Sequence, residues 1–115
     1  MKVRDILRII QSIAPANLSE KWDNVGLLCG DANDEVTGIA VCLDIWPSTV
    51  QTASNAGCNL IISHHPLIFQ GIRYIRKGDY TSDTLKELIA SGVNYIAAHT
   101  NADFSFLSCA LAEVA

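Results

Sequence analysis

Two short apolar runs, "NLIIS" at 59–63 and "VNYIAA" at 93–98, constrain the fold more than any other feature of the chain. Glycine and proline bound the first closely enough to leave room only for a strand, and the second is of similar length. Between them Leu85, Leu88 and Ile89 recur at helical spacing, with Ser82 or Asp83 placed to cap the segment and Gly92 to end it. Strand, helix, strand in that order implies parallel pairing through a right-handed crossover. The preceding cycle has the same form. "TGIAVCLD" at 37–44 reads as a strand closed by Asp44, and Pro47 opens a helix with Trp46 or Asp44 near its cap. Val50, Ala53 and Ala56 give that helix its apolar stripe before Gly57.

Upstream, Val3, Ile6, Leu7, Ile10 and Ile13 follow an amphipathic helical pattern that must stop near Ala14, because Pro15 disfavours helical dihedrals just before it. "NLSEKWDN" is a polar connector, and "VGLLCG" at 25–30 is a further strand. "RYIRKGDY" at 73–80 reads as a polar loop or a hairpin excursion. The expected class is therefore α/β, a mostly parallel sheet covered by helices, with residues 1–115 as one domain. A chain of 115 residues suffices for one core, burying about two-thirds of the surface its unfolded form exposes.

In open α/β sheets, sites form outside the carboxyl ends of the strands. Asp44, His64, His65 and His99 all fall at such ends on this reading, and Asp103 follows closely. "SHHPLIF" and "AHTNAD" on neighbouring parallel strands would release His64, His65, His99 and Asp103 along one edge. Imidazole and carboxylate suit zinc, manganese or ferrous iron. Adjacent histidines leaving a strand point to opposite sides, which disfavours one shared ion and suits two ions about 3.5 to 4 Å apart. Taken alone, the histidine pair is as readily a turn cap as a metal grip; joined to the second histidine and the carboxylate, it favours a site. His99 either ligates or orients Asp103.

Other candidates are weaker. Ser63 beside His64, and Cys58 upstream, lack a nucleophile-elbow context and read as turn and core residues. Glu20, Trp22, Asp23 and Asn24 either line a cleft or cap a turn. No glycine loop of the phosphate-cradling kinds is present.

Four of these segments, "EKWDNVGLLCG", "VCLDIWPSTV", "NLIISHHPLIF" and "AAHTNAD", together resemble the N-terminal half of the Nif-three-like family, the type-two GTP cyclohydrolase I homologues. The resemblance runs from Leu7 to Asp103. It implies an α/β domain, a dinuclear divalent-metal centre of two ions and assembly into a ring-shaped hexamer. It also implies His64, His65 and Asp103 as metal ligands, with His99 close by. Family members complete the metal pair with a histidine and a glutamate from a later segment. They also tend to carry a glycine-rich stretch where this chain has "FSFLSCA". The expectation is accordingly an incomplete N-terminal lobe of a Nif-three-like fold.

Three functions follow as expectations: a metal-dependent hydrolase acting on a nucleotide or other small molecule, with His99 orienting a ligand or shuttling a proton; a non-enzymatic metal-binding or regulator-interacting protein; and an inactive remnant. The hydrophobic fraction of 50% against 17% charged residues suggests a face covered by another chain, as in a homo-oligomer, or by missing sequence. A net charge of −4, with the eight lysines and arginines scattered along the chain, disfavours direct nucleic-acid binding. "MKVRDILRIIQSI" does not read as a signal peptide, and no apolar run reaches the roughly 20 residues that span a bilayer. No membrane association and a cytoplasmic location are the expectation. Cys29, Cys42, Cys58 and Cys109 form no C-x-x-C pair and read as reduced core thiols.

Overall fold

The computed structural model describes residues 1–13, 26–64 and 72–98. The elements are α1 (Val3–Ile13), β1 (Gly26–Cys29), β2 (Ile39–Cys42), α2 (Pro47–Asn55), β3 (Leu60–Ser63), α3 (Tyr80–Ser91) and β4 (Asn94–Ala97). They build one four-stranded sheet in the order β1-β4-β3-β2. Strands β2, β3 and β4 are parallel, and β1 closes the far edge antiparallel to β4 with an irregularity between Leu27 and Cys29. The mostly parallel α/β architecture expected from the alternating runs is thus the one observed.

Every residue of β3 and β4 is buried, as central parallel strands covered on both faces must be. Period-two alternation divides their side chains between two cores. Ile61, Tyr95 and Ala97 meet Ile45, Val50 and Ala53 from the α2 side and Leu85 and Leu88 from α3. Leu60, Ile62, Ile96 and Ala98 meet Val3, Ile6 and Ile10 of α1 on the opposite face.

Helix α1 is held at its start by the 31–36 segment: the N–H groups of Val3 and Arg4 donate to Asp34 O and Ala32 O, both at 2.9 Å. These bonds satisfy donors that a helix N-terminus leaves without intrahelical partners. At the same amino end of the sheet, buried Asn94 gathers the loops. Its Oδ1 accepts from the Asp31 N–H at 2.7 Å, and its Nδ2 donates to Asn59 O at 3.1 Å and Asp34 Oδ2 at 3.2 Å.

The structure corrects three details of the helices. The cap of α3 is Asp79, not Ser82 or Asp83: its carboxylate accepts from the Ser82 N–H at 3.0 Å and the Ser82 hydroxyl at 2.8 Å. Asp83 turns back instead to the Gly78 N–H. Ile89 is 69% exposed. The inward stripe of α3 is Thr84, Leu85 and Leu88, because the Thr84 hydroxyl donates to Tyr80 O at 2.8 Å and can therefore be buried. Ala56 is exposed because α2 ends at Asn55, and Ala56 serves as its C-cap.

Cys29, Cys42 and Cys58 are free thiols, each half-buried against the core, and Cys109 lies outside the described residues. Among the described residues no helix is long and apolar enough to cross a membrane.

Gly30 has φ +124, and a Cβ there would meet Asn94 Cγ at 2.8 Å. Gly30→Ala should therefore destabilise the fold by about 2 kcal/mol, from the strained backbone and the disturbed asparagine hub; a shift in the urea midpoint checks it. Asp79 has its carboxyl held below the usual 3.8 by the hydroxyl and N–H of Ser82. A lowered folded-state value means that its stabilisation is present in full above 3.8 and drains away as pH falls through that lower value. Asp79→Asn should flatten the acid limb of a urea-midpoint profile relative to wild type.

Candidate functional site

The three parallel strands end level. Cys42, Ser63 and Ala97 are register partners across β2, β3 and β4. The backbone ladder continues one residue further, with the His64 N–H donating to Cys42 O at 3.1 Å and the Ala98 N–H to Ser63 O at 2.9 Å. His64 therefore leaves β3 at the carboxyl edge, half-buried, with its Nδ1 screened from solvent. Asp44 lies two residues past the end of β2 on the same edge.

Of the candidate residues, His64 and Asp44 fall within the described structure. His65, His99 and Asp103 lie outside the described residues, as do Glu20, Trp22, Asp23 and Asn24. In chain order His65 is the second residue after Ser63, and His99 the second after Ala97. Among the described residues no three His, Cys, Asp or Glu side chains group closely enough to hold a metal ion.

Sulfur chemistry is disfavoured at this edge. Burial, followed by the nearby Asp44 carboxylate, pushes the Cys42 thiol up to about 11, so it stays protonated near neutral pH. A protonated thiol is a poor nucleophile. Ser63 is no nucleophile either: it is fully buried, and its Oγ lies 2.6 Å from the Tyr95 hydroxyl.

That Ser63–Tyr95 contact was not anticipated from the sequence, where Tyr95 reads as one more apolar strand residue. The signal was available in principle, since a buried tyrosine needs a partner for its hydroxyl. Tyr95 stands opposite Ile61 in the ladder, so its phenol reaches along β3 to the residue that precedes His64.

A second unanticipated group flanks the edge. Trp46, at the cap of α2, is 53% exposed, and its ring lies 4.6 Å from that of Tyr80 at a 56° tilt. The Tyr80 hydroxyl donates to the Ile45 carbonyl, tying the start of α3 to the turn after β2. Burial, then the Asp44 carboxylate and Cys42, raises the Tyr80 phenol above its ordinary value, so it remains a donor at neutral pH.

Comparison with known proteins gives one family and several long relatives. The family described as Duf34/NIF3 (NGG1p interacting factor 3) matches residues 1–112. A Staphylococcus aureus protein named GTP cyclohydrolase 1 type 2 homolog is 43% identical over 103 residues, covering 90% of this chain and 28% of that protein. The crystal structure of S. aureus protein SA1388 superposes with a TM-score of 0.84 at 43% identity, over 90% of this chain and 29% of that one. A Bacillus cereus protein related to NIF3 gives 0.83 at 31% identity, over 90% and 28%. The chain thus spans under a third of the length of these relatives.

Tyr95→Phe should cost about 1 kcal/mol of stability while leaving the fold intact, because it removes the buried hydrogen bond to Ser63 and keeps the ring. Thermal unfolding alongside far-ultraviolet circular dichroism checks both halves of that statement.

Proposed function

Because this chain belongs to the Duf34/NIF3 family, we propose that it binds two divalent metal ions, zinc, iron or manganese, and serves a hydrolytic reaction on a nucleotide. His64, His65 and Asp103 are the ligands this chain supplies, and His99 orients a ligand or moves a proton. One observation carries the reading: β2, β3 and β4 stop at the same level, and the ladder extends to His64. The residues that follow β3 and β4 in the chain are the remaining imidazoles and, after Thr100, Asn101 and Ala102, the carboxylate.

The donor chemistry fits such a group. His64 offers an imidazole at the edge, half-buried, where few water molecules compete for it. When bound, a pair of such ions polarises an electrophilic centre and lowers the pKa of a shared water toward neutrality. The nucleotide substrate is proposed from the S. aureus relative named GTP cyclohydrolase 1 type 2 homolog. A cytoplasmic homo-oligomer is proposed with it, since the apolar composition favours a covered face.

A second reading, favoured by the words "interacting factor" in the family description, is a metal-binding module that acts by docking to a regulator without turnover. Elemental analysis of the purified chain should find about two equivalents of metal, and a value near zero would overturn the metal assignment. His64→Ala should lower that content with the circular dichroism spectrum unchanged. Turnover of GTP lost in the same variant separates the hydrolase from the docking module.

A further inference from the structure

The two lateral edges of the sheet differ. At one, β1 is interrupted by the irregularity between Leu27 and Cys29, which spoils it as a template for further pairing. At the other, β2 keeps an even register with β3 over its whole length. The hydrogen bonds fix which backbone groups face outward there. Cys42 O accepts from the His64 N–H, so Cys42, and by alternation Ala40, bond inward to β3. Ile39 and Val41 therefore direct their N–H and C=O groups away from the sheet, where no described residue pairs with them.

Open edges are ordinarily guarded by charge, proline, a bulge or a covering segment. "TGIAVCL" at 37–43 has neither charge nor proline. Each residue of β2 is only half-buried, against the full burial of β3 and β4. The lack of charge extends to the adjoining helix: of the eight basic and twelve acidic residues of the chain, only Asp44 falls within 36–58. Beside this edge is a cavity of about 390 Å³ whose walls include Ala40 and Val41 from β2 and Ser48 and Thr52 from α2, with Ala56 just beyond the helix. Ser48, Thr52 and Ala56 are exposed.

We infer that β2 is a pairing edge for a second copy of this chain, joined antiparallel about a twofold axis through Val41. The two Val41 residues exchange N–H to C=O bonds as one hydrogen-bonded pair, and Ile39 of each copy stands opposite Leu43 of the other. An axis normal to the sheet keeps like faces together. The two α2 helices then lie on the same face of an eight-stranded sheet, and the small side chains of Ser48, Thr52 and Ala56 leave room for the second copy.

Charge decides the occupant. Two chains of net charge −4 repel wherever like charge meets like, and a neutral surface is what lets a copy meet itself. Asp44, the one charge in the stretch, is three residues from the axis. Antiparallel pairing sets the two carboxylates six positions apart, about 20 Å at the strand rise of about 3.3 Å, well beyond the Debye length of about 8 Å at physiological salt. A partner recognised through its charge has nothing here to bind. Twofold pairing also closes on itself and leaves no further edge exposed on this side. The inference deepens the proposed homo-oligomer by naming the surface at which two copies meet, and it rests on that reading only for the presence of a second copy, not on the metal centre.

One short strand and one helix face fall below the roughly 20–30 residues a side of a standard interface, so the dimer should dissociate at about 10 μM. Sedimentation velocity on the 115-residue chain between about 1 and 300 μM measures this. Thr52→Lys, which puts a cation at an exposed position on the groove, should weaken association at least about tenfold. Gln51→Lys, on the side of α2 that meets Glu87, should leave it unchanged. Circular dichroism should be the same for all three chains. Amide exchange at Val41 should slow as wild-type concentration rises and stay fast in Thr52→Lys. Association that is equally strong in Thr52→Lys, equally lost in Gln51→Lys, or without effect on Val41 exchange would overturn the pairing edge and leave a homo-oligomer formed elsewhere. A wild-type chain monomeric at about 300 μM would overturn both. Metal content of the same samples reports on the metal centre separately, since neither variant touches His64, His65, His99 or Asp103.

Discussion

Burial of β3 and β4 on both faces is the constraint from which the rest of the structure follows. Two parallel strands covered by α1 on one side and by α2 and α3 on the other have no wet face on which to place polar chemistry. Polar side chains are then confined to the strand ends, where the chain turns away from the sheet and the ladder runs out. Equal strand lengths and a register without slips between β2, β3 and β4 bring those ends to one level. An edge of this kind gathers residues that are more than thirty positions apart in the chain, with no loop needing to reach far.

The two ends of the sheet are used differently. At the amino end the polar groups are asparagines whose bonds are directed at loop backbone: Asn59 Oδ1 accepts from the Thr37 N–H at 2.8 Å, its Nδ2 donates to Glu35 O at 2.7 Å, and Asn94 ties 31–34 to the turn before β3. Amide side chains suit that task because they carry a donor and an acceptor and remain neutral when buried. At the carboxyl end the residues are ionisable or aromatic: His64, Asp44, Cys42, Trp46 and Tyr80. One end is closed by backbone satisfaction, and the other presents titratable groups and ring faces. That division agrees with the general preference of open α/β sheets for sites at the carboxyl ends of their strands.

Sequence pattern and structure agree most closely where burial is two-sided. "NLIIS" and "VNYIAA" are nearly continuous apolar runs because both faces of those strands are covered, and their short length excluded helices. Agreement loosens on the helices. Ile89 has the hydropathy of a core residue yet faces solvent, since a hydroxyl bonded to its own helix let Thr84 take an inward position instead. The α3 cap lies three or four residues before the positions that the sequence pattern predicts, for a related reason: Ser82, Asp83 and Asp79 are all good capping types, and only tertiary geometry decides among them. At the candidate site, His64 was legible as a strand-ending histidine. Tyr95 and Tyr80 were not, because their hydroxyl partners, Ser63 and the Ile45 carbonyl, are 32 and 35 residues away in the chain.

The Ser63–Tyr95 pair bears on why this edge is well defined. Two aliphatic side chains of the same volume would serve the core about as well, since the net contribution of a buried neutral hydrogen bond is only about 1 kcal/mol. Stability alone therefore does not account for two hydroxyls meeting between buried apolar strands. What an oxygen-to-oxygen contact of 2.6 Å adds is direction, because it weakens steeply with misalignment, whereas apolar contacts tolerate sliding. The contact joins β4 to β3 at the residue before His64, so it opposes axial slip between the two strands where slip would move the imidazole. A hydrophobic interior holds the strands together, and the Ser63–Tyr95 contact near the carboxyl end contributes to how they are aligned.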